Sequence, residues 1–199
     1  VRAFSIDDAH TTEIDDALSV TWLPGIGSRI GIHIAAPGLA IEHGSPLDGV
    51  ARARLSTVYM PSNKITMLPD AVVQNYTLAG GVDCPAVSIY LTISDSLEIL
   101  GHESRLEKVH IAANLRHHEV EPWFNEQTVG GVLPDQPFAR ELLHLWHFAN
   151  ACEGRRGKPS AVQGVNDYNF AITGDLADPD ACTVEISERK RGSPLDKLV

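Results

Sequence analysis

The sequence between residues 4 and 22 reads FSIDDAHTTEIDDALSVTW, and five carboxylates fall within the ten positions from Asp7 to Asp16. An alternating, β-rich segment, Ala17–Trp22, follows at once. Like charges this close repel one another and raise each other's pKa unless cations or hydrogen-bond donors compensate. Carboxylate oxygens are hard ligands, so a loop that collects several of them beside a strand suits Mg²⁺ or Mn²⁺. A solvated acidic turn or a helix cap would explain the same composition.

The residues after this cluster predict a hairpin and then a long irregular region. A Pro/Gly turn separates Ala17–Trp22 from a second alternating segment that ends at Ala35, and this pattern predicts an antiparallel pair. Prolines and glycines recur between residues 36 and 82, so loops are expected there, with one short helix near Leu47–Arg54. Long loops in a compact chain usually carry function.

The second half of the chain predicts further strands. An antiparallel meander with one solvated face is expected at Val87–Ser94, Leu97–Gly101 and Ser104–Ile111. Two more short strands are expected at Tyr168–Ile172 and Thr183–Ser187. The predicted fold class is therefore α+β, with a mixed or antiparallel sheet and packed helices.

Two patterns near the end of the sequence predict helices. Apolar residues from Phe138 to Ala149 recur at helical spacing, with Pro137 at the first position and Gly154 as the C-cap. Ser193–Asp196 combines an N-cap serine, a proline and an acidic residue, which is typical of a helix start. A one-turn helix is not stable alone, so the polypeptide is expected to continue beyond these 199 residues.

Composition excludes several classes of protein. The 199 residues are 43% hydrophobic, which is enough for one domain with a real core. A net charge of -10 argues against binding a polyanion through bulk charge alone. No apolar run approaches the length of a membrane span, and three distant cysteines indicate neither a disulfide framework nor a thiolate zinc site. We expect a cytoplasmic monomer that makes no contact with membranes.

Several blocks of the sequence, taken in order, carry a resemblance. The opening blocks are Phe4–Asp8 and Glu13–Val20, and the later ones are Gly31–Ala35, Gly44–Asp48, Val58–Pro61, Met67–Pro69 and Asp167–Phe170. In this order they resemble the signatures of the catalytic (RNB) domain of the ribonuclease II family. The resemblance spans nearly the whole chain, and it implies that residues 1–199 are the N-terminal portion of such a domain.

The family implies a metal-dependent reaction on RNA. Its members hydrolyse single-stranded RNA from 3′ to 5′ and release nucleoside 5′-monophosphates with Mg²⁺, and Mn²⁺ is a possible substitute. Closely spaced metal ions can neutralise phosphate charge, activate water and stabilise the leaving oxygen. By resemblance, the catalytic and metal-binding set is Asp7, Glu13, Asp15 and Asp16, and Asp8 lies outside it.

The resemblance also implies residues that bind RNA. Tyr59 and Phe170 match positions whose rings stack on bases, although each could instead be a core aromatic. Arg54 could pair with a phosphate or form a surface ion pair. His117 stands where the family places an active-site tyrosine beside the end of the RNA, and a histidine can also stack or donate a hydrogen bond.

The sequence departs from the family in ways that leave a second reading open. The family usually has aspartate at the position of Glu13, and His117 replaces the tyrosine. The rest of the catalytic domain and the flanking OB-fold modules are expected but absent from this chain. A catalytically degenerate homologue that binds RNA or a protein partner without cleavage is therefore the alternative. An unrelated acidic-loop metalloprotein, such as a phosphatase, is a third reading.

Overall fold

The structure, a computed structural model, describes residues 1–61, 63–132, 134–156, 166–175, 178–190 and 192–198. The strands in these ranges are β1 (Ala3–Asp7), β2 (Asp16–Leu23), β3 (Gly27–Ala35), β4 (Val58–Met60), β5 (Asn63–Ile65), β6 (Asp83–Ser94), β7 (Ile99–Arg116), β8 (Asn166–Gly174) and β9 (Cys182–Lys190). The helices are α1 (Pro46–Arg54), α2 (Asp70–Tyr76), α3 (His117–Val120) and α4 (Ala139–Arg156), with short 3-10 segments at Pro37–Ala40 and Pro179–Ala181. None of the described helices combines the length and the apolar character needed to cross a membrane.

Five strands close into a barrel in the order β1-β2-β3-β6-β7. Neighbouring strands run antiparallel except β1 and β7, which are parallel and place Asp7 opposite Arg116. Closure leaves no unpaired edge in this sheet. The predicted α+β class is confirmed, but the sequence did not predict closure, because the β1–β7 pair joins segments far apart along the chain.

Two apolar clusters hold the barrel and its helices together. In the larger cluster, Phe4 and Ile6 of β1 pack with Leu142 and Leu145 of α4, and Leu195 is fully buried among them. The second cluster groups residues of the barrel and of neighbouring loops, namely Ala3, Ile14, Ala17, Leu78, Cys84, Ala86, Val109 and Ile111. Both clusters include β1, so this short strand is held firmly in place.

The predicted hairpin is confirmed, and the meander needs one correction. Strands β2 and β3 pair from Asp16–Ile34 to Leu23–Gly27. The segments predicted as two strands, at residues 97–101 and 104–111, form the single strand β7. The long strand β6 pairs with β7 along most of its length, and β1 pairs with β7 from Ile111 to Arg116. Continuous pairing with these partners explains why β7 is not interrupted.

The region between residues 36 and 82 contains more regular structure than predicted. The expected helix is α1, and Ser45 caps it by accepting a hydrogen bond from the Asp48 backbone at 3.2 Å. Helix α2 and the β4–β5 hairpin were not predicted. Such short elements are marginal alone, and contacts elsewhere in the fold stabilise them. Lys64 of β5, for example, donates to Thr12 Oγ1 at 2.7 Å.

The long helix is confirmed, but its predicted ends are wrong. Phe138 precedes α4 with a φ of 64° and packs against Phe4 with the rings tilted and their centroids 4.6 Å apart. Gly154 does not terminate α4, which continues to Arg156. Arg155 donates to the Leu97 carbonyl at 2.9 Å, so a tertiary contact stabilises the turn that the sequence predicted to be the end.

The remaining predictions are confirmed in part. Strands β8 and β9 pair antiparallel, as expected. Ser193–Asp196 forms a reciprocal cap: Ser193 Oγ accepts from the Asp196 backbone at 3.2 Å, and Asp196 Oδ2 accepts from the Ser193 backbone at 3.0 Å. These residues lie in a turn rather than in a helix.

Candidate functional site

Two of the predicted carboxylates lie where adjacent barrel strands meet. Asp7 is the last residue of β1, and Asp16 is the first residue of β2. The two strands run antiparallel, so both carboxylates lie at the same rim of the barrel. Burial raises the pKa of Asp16, and the negative charges of Asp7 and Asp15 raise it further. The Asp16 carboxylate is therefore close enough to those of Asp7 and Asp15 to feel their negative charges.

Several groups hold the Asp7 side chain in place. Burial raises its pKa, while a hydrogen bond from Ser5 and the positive charges of Arg116 and His117 oppose this rise. Ser5 Oγ donates to Asp7 Oδ2 along the same strand. Arg116 donates from Nη1 to the Asp8 carbonyl at 2.8 Å and so fixes the turn after β1. The net effect is a crowded carboxylate with a raised pKa.

Asp15 and Glu13 lie on the segment that leads into β2. Burial raises the pKa of Asp15, the charge of Glu13 raises it further, and Lys64 lowers it. The Asp15 carbonyl accepts from the Ala35 backbone at 2.8 Å, which joins this segment to the end of β3. Asp15 and Glu13 thus form a second carboxylate pair beside Asp7 and Asp16.

Glu13 has protein partners in the β4–β5 hairpin. Tyr59 Oη donates to Glu13 Oε2 at 3.3 Å, and Lys64 Nζ lies 3.4 Å from the same oxygen. Burial raises the pKa of Tyr59, and the negative charge of Glu13 raises it further. The resemblance implies aspartate at this position. The longer Glu13 side chain instead contacts the Lys64 ammonium and the Tyr59 hydroxyl.

A cavity of about 360 Å³ opens beside this second pair. Carboxylates, two tyrosines and apolar side chains surround it, and its lining comprises Glu13, Asp15, Ala35, Pro37, Ser56, Thr57, Tyr59, Met67, Leu68, Val73, Tyr76 and Thr77. Its volume is in the range of small-molecule pockets. The Tyr59 side chain is exposed, so its ring is accessible to a ligand. The cavity therefore combines an apolar, aromatic wall with two carboxylates.

The other residues implicated in RNA binding are placed differently. His117 begins α3 close to Asp7, and only 12% of its side chain is exposed. Arg54 donates to the Thr66 carbonyl at 2.7 Å. Phe170 is exposed on β8 opposite Ile186, outside the cavity lining, and is not a core aromatic.

The chemistry of the donor set suits a hard divalent cation. Asp7, Asp15 and Asp16 supply oxygen ligands, and each has a raised pKa that a nearby cation would oppose. Within the described part of the chain, no group of three or more His, Cys, Asp or Glu side chains is arranged so that it could hold a metal ion. By charge and by ligand type, the three aspartates suit such a cation.

Sequence reasoning missed the uncharged residues that support these carboxylates. Asn114 Nδ2 donates to Ser5 Oγ at 2.9 Å, and Thr77 Oγ1 accepts from the Ile14 backbone at 2.8 Å. Ser5 could have been found, because it precedes Asp7 by two positions on a strand and shares its face. Asn114 and Thr77 lie far from the acidic cluster in sequence, and no local pattern indicated them.

The chain is similar in sequence and in fold to known proteins. Exoribonuclease 2 of Vibrio cholerae is 28% identical over 199 residues, which cover 96% of this chain and 28% of that protein. The fold matches Mycoplasma genitalium RNase R in complex with ribose methylated single-stranded RNA, with a TM-score of 0.79 and 14% identity over 100% of this chain and 30% of the other. Yeast Ssd1, a pseudonuclease, matches with a TM-score of 0.66 and 22% identity over 82% of this chain and 19% of the other.

The chain thus spans less than a third of the length of each of these proteins. A family model described as the RNB domain matches residues 1–196. The same residues contain the barrel, the acidic rim and the cavity. The chain therefore belongs to the RNB domain family of exoribonucleases.

Proposed function

We propose that this chain carries the metal-binding part of a 3′-to-5′ exoribonuclease that hydrolyses single-stranded RNA to nucleoside 5′-monophosphates. Family membership supports nuclease chemistry on RNA. One structural observation carries the proposal: the Asp16 carboxylate lies near those of Asp7 and Asp15 at one rim of the barrel, beside a cavity that an exposed tyrosine lines.

The carboxylates would hold Mg²⁺, with Mn²⁺ as a substitute, and Asp7, Asp15 and Asp16 are the proposed ligands. When bound, the metal would supply charge neutralisation at the phosphate and a more acidic water. The protein has a net charge of -10, so cations at this rim would also let an acidic chain approach a polyanion. We place Glu13 at the edge of this set, since its carboxylate already contacts Tyr59 and Lys64.

The cavity would receive a nucleotide near the 3′ end of the RNA. A base can stack on the exposed Tyr59 ring regardless of its identity, which suits an enzyme without sequence preference. Asp15 lines the same cavity, so the backbone of a nucleotide stacked there would lie next to the acidic rim. Phe170 offers a second exposed ring for a base, while His117 near Asp7 and the guanidinium of Arg54 are the proposed contacts to phosphate.

A degenerate, RNA-binding homologue is the second candidate function. Lys64 contacts Glu13 and lowers the pKa of Asp15, so a protein cation partly neutralises the acidic pair. A structural neighbour of this chain is itself described as a pseudonuclease. Membership of the RNB family excludes the third reading, an unrelated acidic-loop metalloprotein.

A cleavage assay on the natural full-length protein separates the two candidates. The substrates are 5′-labelled single-stranded RNA and the matching DNA, each with Mg²⁺, Mn²⁺ or EDTA. The variant is Asp15→Asn, and Asp95→Asn makes the same charge change in the turn between β6 and β7. We expect a metal-dependent ladder on RNA that shortens from the 3′ end, is lost in Asp15→Asn and persists in Asp95→Asn.

Two other results would redirect the proposal. RNA that is bound but left whole with every metal would favour the degenerate homologue. If Asp15→Asn cleaves RNA at the wild-type rate, the acidic rim is not required for the reaction.

A further inference from the structure

The segment Thr77–Gly80 lies between α2 and β6, and hydrogen bonds connect it to the backbone beside Glu13 and, through Asn114 and Ser5, to Asp7. Leu78 in this segment is fully buried in the second apolar cluster. The segment lies 61 or more positions beyond Asp16 in the sequence, so only the fold brings it to the acidic rim. None of its side chains is charged.

On one side, the segment fixes the backbone around Glu13. Thr77 Oγ1 accepts from the Ile14 backbone at 2.8 Å and donates to the Thr12 carbonyl at 3.1 Å. The Leu78 backbone donates to the Ile14 carbonyl at 2.9 Å. These bonds hold the backbone of Thr12 and of Ile14, the residues on either side of Glu13, and Ile14 directly precedes Asp15.

On the other side, Asn114 of β7 connects the segment to Asp7. Gly80 N–H donates to Asn114 Oδ1 at 2.6 Å, and Asn114 Nδ2 donates to the Leu78 carbonyl and to Ser5 Oγ, each at 2.9 Å. An N–H can only donate, so the amide orientation follows from its partners. Ser5 then donates its hydroxyl hydrogen to Asp7 Oδ2.

We propose that Thr77 and Asn114 are positioning residues that set the separation between Asp7 and the Glu13–Asp15 pair through the Thr77–Gly80 segment. Mutual repulsion favours separation of the carboxylates, and the metal requires them close together. The hydrogen bonds made by Thr77 and Asn114 are to backbone groups and to Ser5, so both residues would act on the carboxylates indirectly. Thr77 also lines the cavity, so metal binding without RNA is the readout that isolates its positioning role. Groups of this kind orient metal ligands, and their loss typically weakens metal binding.

The inference rests on the proposed metal-dependent function, and its test uses metal alone as the probe. Calorimetry measures Mn²⁺ binding to the natural full-length protein without RNA, and single-stranded RNA then yields kcat and KM. Thr77→Val removes the hydroxyl and keeps the shape of the side chain. Asn114→Leu removes all three hydrogen bonds of the side-chain amide and keeps a similar volume. Thr92→Val makes the matched change on β6, near the far end of the β6–β7 hairpin.

We expect Thr77→Val and Asn114→Leu each to weaken Mn²⁺ binding by ~10–100-fold and to lower kcat more than they raise KM. Thr77→Ser restores the hydroxyl and should recover Mn²⁺ affinity, and Thr92→Val should match wild type. The double variant should lose less than the product of the two single losses, because both residues fix one segment.

Folded Thr77→Val and Asn114→Leu proteins with wild-type Mn²⁺ affinity would overturn the inference. Circular dichroism establishes folding. Ser5→Ala deletes the bond to Asp7 and the bond that Ser5 accepts from Asn114, and it replaces Asn114→Leu if that variant does not fold. A wild-type protein that binds no Mn²⁺ and leaves RNA whole would instead overturn the proposed function and the inference with it. Wild-type binding and cleavage with unaffected variants would overturn the inference alone.

Discussion

Asp16 lies in an environment that disfavours its negative charge. Its carboxylate lies near those of Asp7 and Asp15, and burial together with these charges raises its pKa. Like charges that face one another destabilise a folded protein. The proposed metal site would explain a carboxylate in this position, because a bound cation offsets the repulsion.

We therefore predict that Asp16→Asn stabilises the metal-free protein by ~0.5–1 kcal/mol, because one of the interacting charges is removed. Thermal unfolding in EDTA measures this. Added Mn²⁺ should raise the Tm of wild type more than that of the variant. Asp95→Asn, outside the cluster, should change neither value, and an Asp16→Asn protein less stable than wild type in EDTA would contradict the prediction.

His33 shows a buried histidine with a structural role. It is fully buried, and its ring nitrogens lie 2.9 Å from Ser19 Oγ and 2.8 Å from Ser88 Oγ. Burial lowers its pKa to about 4, partly opposed by the negative charge of Glu107. The neutral imidazole has one donor nitrogen and one acceptor nitrogen. This suits the two serine hydroxyls, since each hydroxyl can donate or accept.

The low pKa of His33 predicts acid sensitivity. Above pH ~6.5, the usual pKa of histidine, the ring is neutral in both states. As the pH falls from there to about 4, only the unfolded state takes up the proton, so the free energy of unfolding falls by up to ~1.4 kcal/mol per pH unit. Denaturant unfolding across this range measures the slope. His33→Asn should flatten it, whereas the exposed His102→Asn should not, and an unchanged slope in His33→Asn would contradict the assignment.

At the scale of elements, the β4–β5 hairpin brings the Tyr59 ring to the cavity. We predict that Tyr59→Ala weakens binding of single-stranded RNA by about 1–3 kcal/mol, through loss of one stacking partner. Fluorescence anisotropy in EDTA measures affinity while the RNA stays whole. Tyr59→Phe keeps the ring and loses only the 3.3 Å bond to Glu13, so it should bind nearly as wild type. Equal losses in both variants would assign the effect to the hydroxyl.

Helix α4 contains an exposed glycine, Gly154, at a position where alanine would fit. Nothing lies within 4 Å of a Cβ at Gly154, and the helix continues past it. Gly154→Ala should therefore stabilise the protein by about 0.5–1 kcal/mol, because alanine loses less backbone entropy on folding. Gly174→Ala is the contrasting variant, since Gly174 has a φ of 111° and its Cβ would lie 2.1 Å from the Ala181 carbonyl oxygen. Denaturant unfolding should show opposite signs for the two changes.

At the scale of the whole molecule, residues from widely separated parts of the chain share one core. Leu195 is fully buried in the cluster that contains Phe4 and Leu142, while Leu198 packs only partly against it. We predict that Leu195→Ala costs about 2–5 kcal/mol of unfolding free energy, as expected for a buried leucine. Leu198→Ala should cost clearly less. Similar losses for both, measured by denaturant unfolding, would mean that the 194–197 turn does not contribute to the core as the structure indicates.

The sequence alone determined the local elements, and it predicted the chemistry of the site. Period-two and helical patterns predicted the β2–β3 hairpin and helix α4, since side-chain burial repeats with the geometry of each element. The crowding of carboxylates between residues 7 and 16 predicted a cation site, and ordered blocks predicted the family that the comparisons confirm. These features are local or additive along the chain, so sequence was sufficient for them.

Only the tertiary structure decided which distant residues meet. Barrel closure depends on β1 pairing with β7, and the ends of α4 depend on contacts with other segments. The engagement of Glu13 by Lys64, and the support that Thr77 and Asn114 give to the carboxylates, join residues separated by tens of positions. No sequence period marks such pairs, because their proximity follows from strand register and the shared burial of both clusters rather than from local conformation.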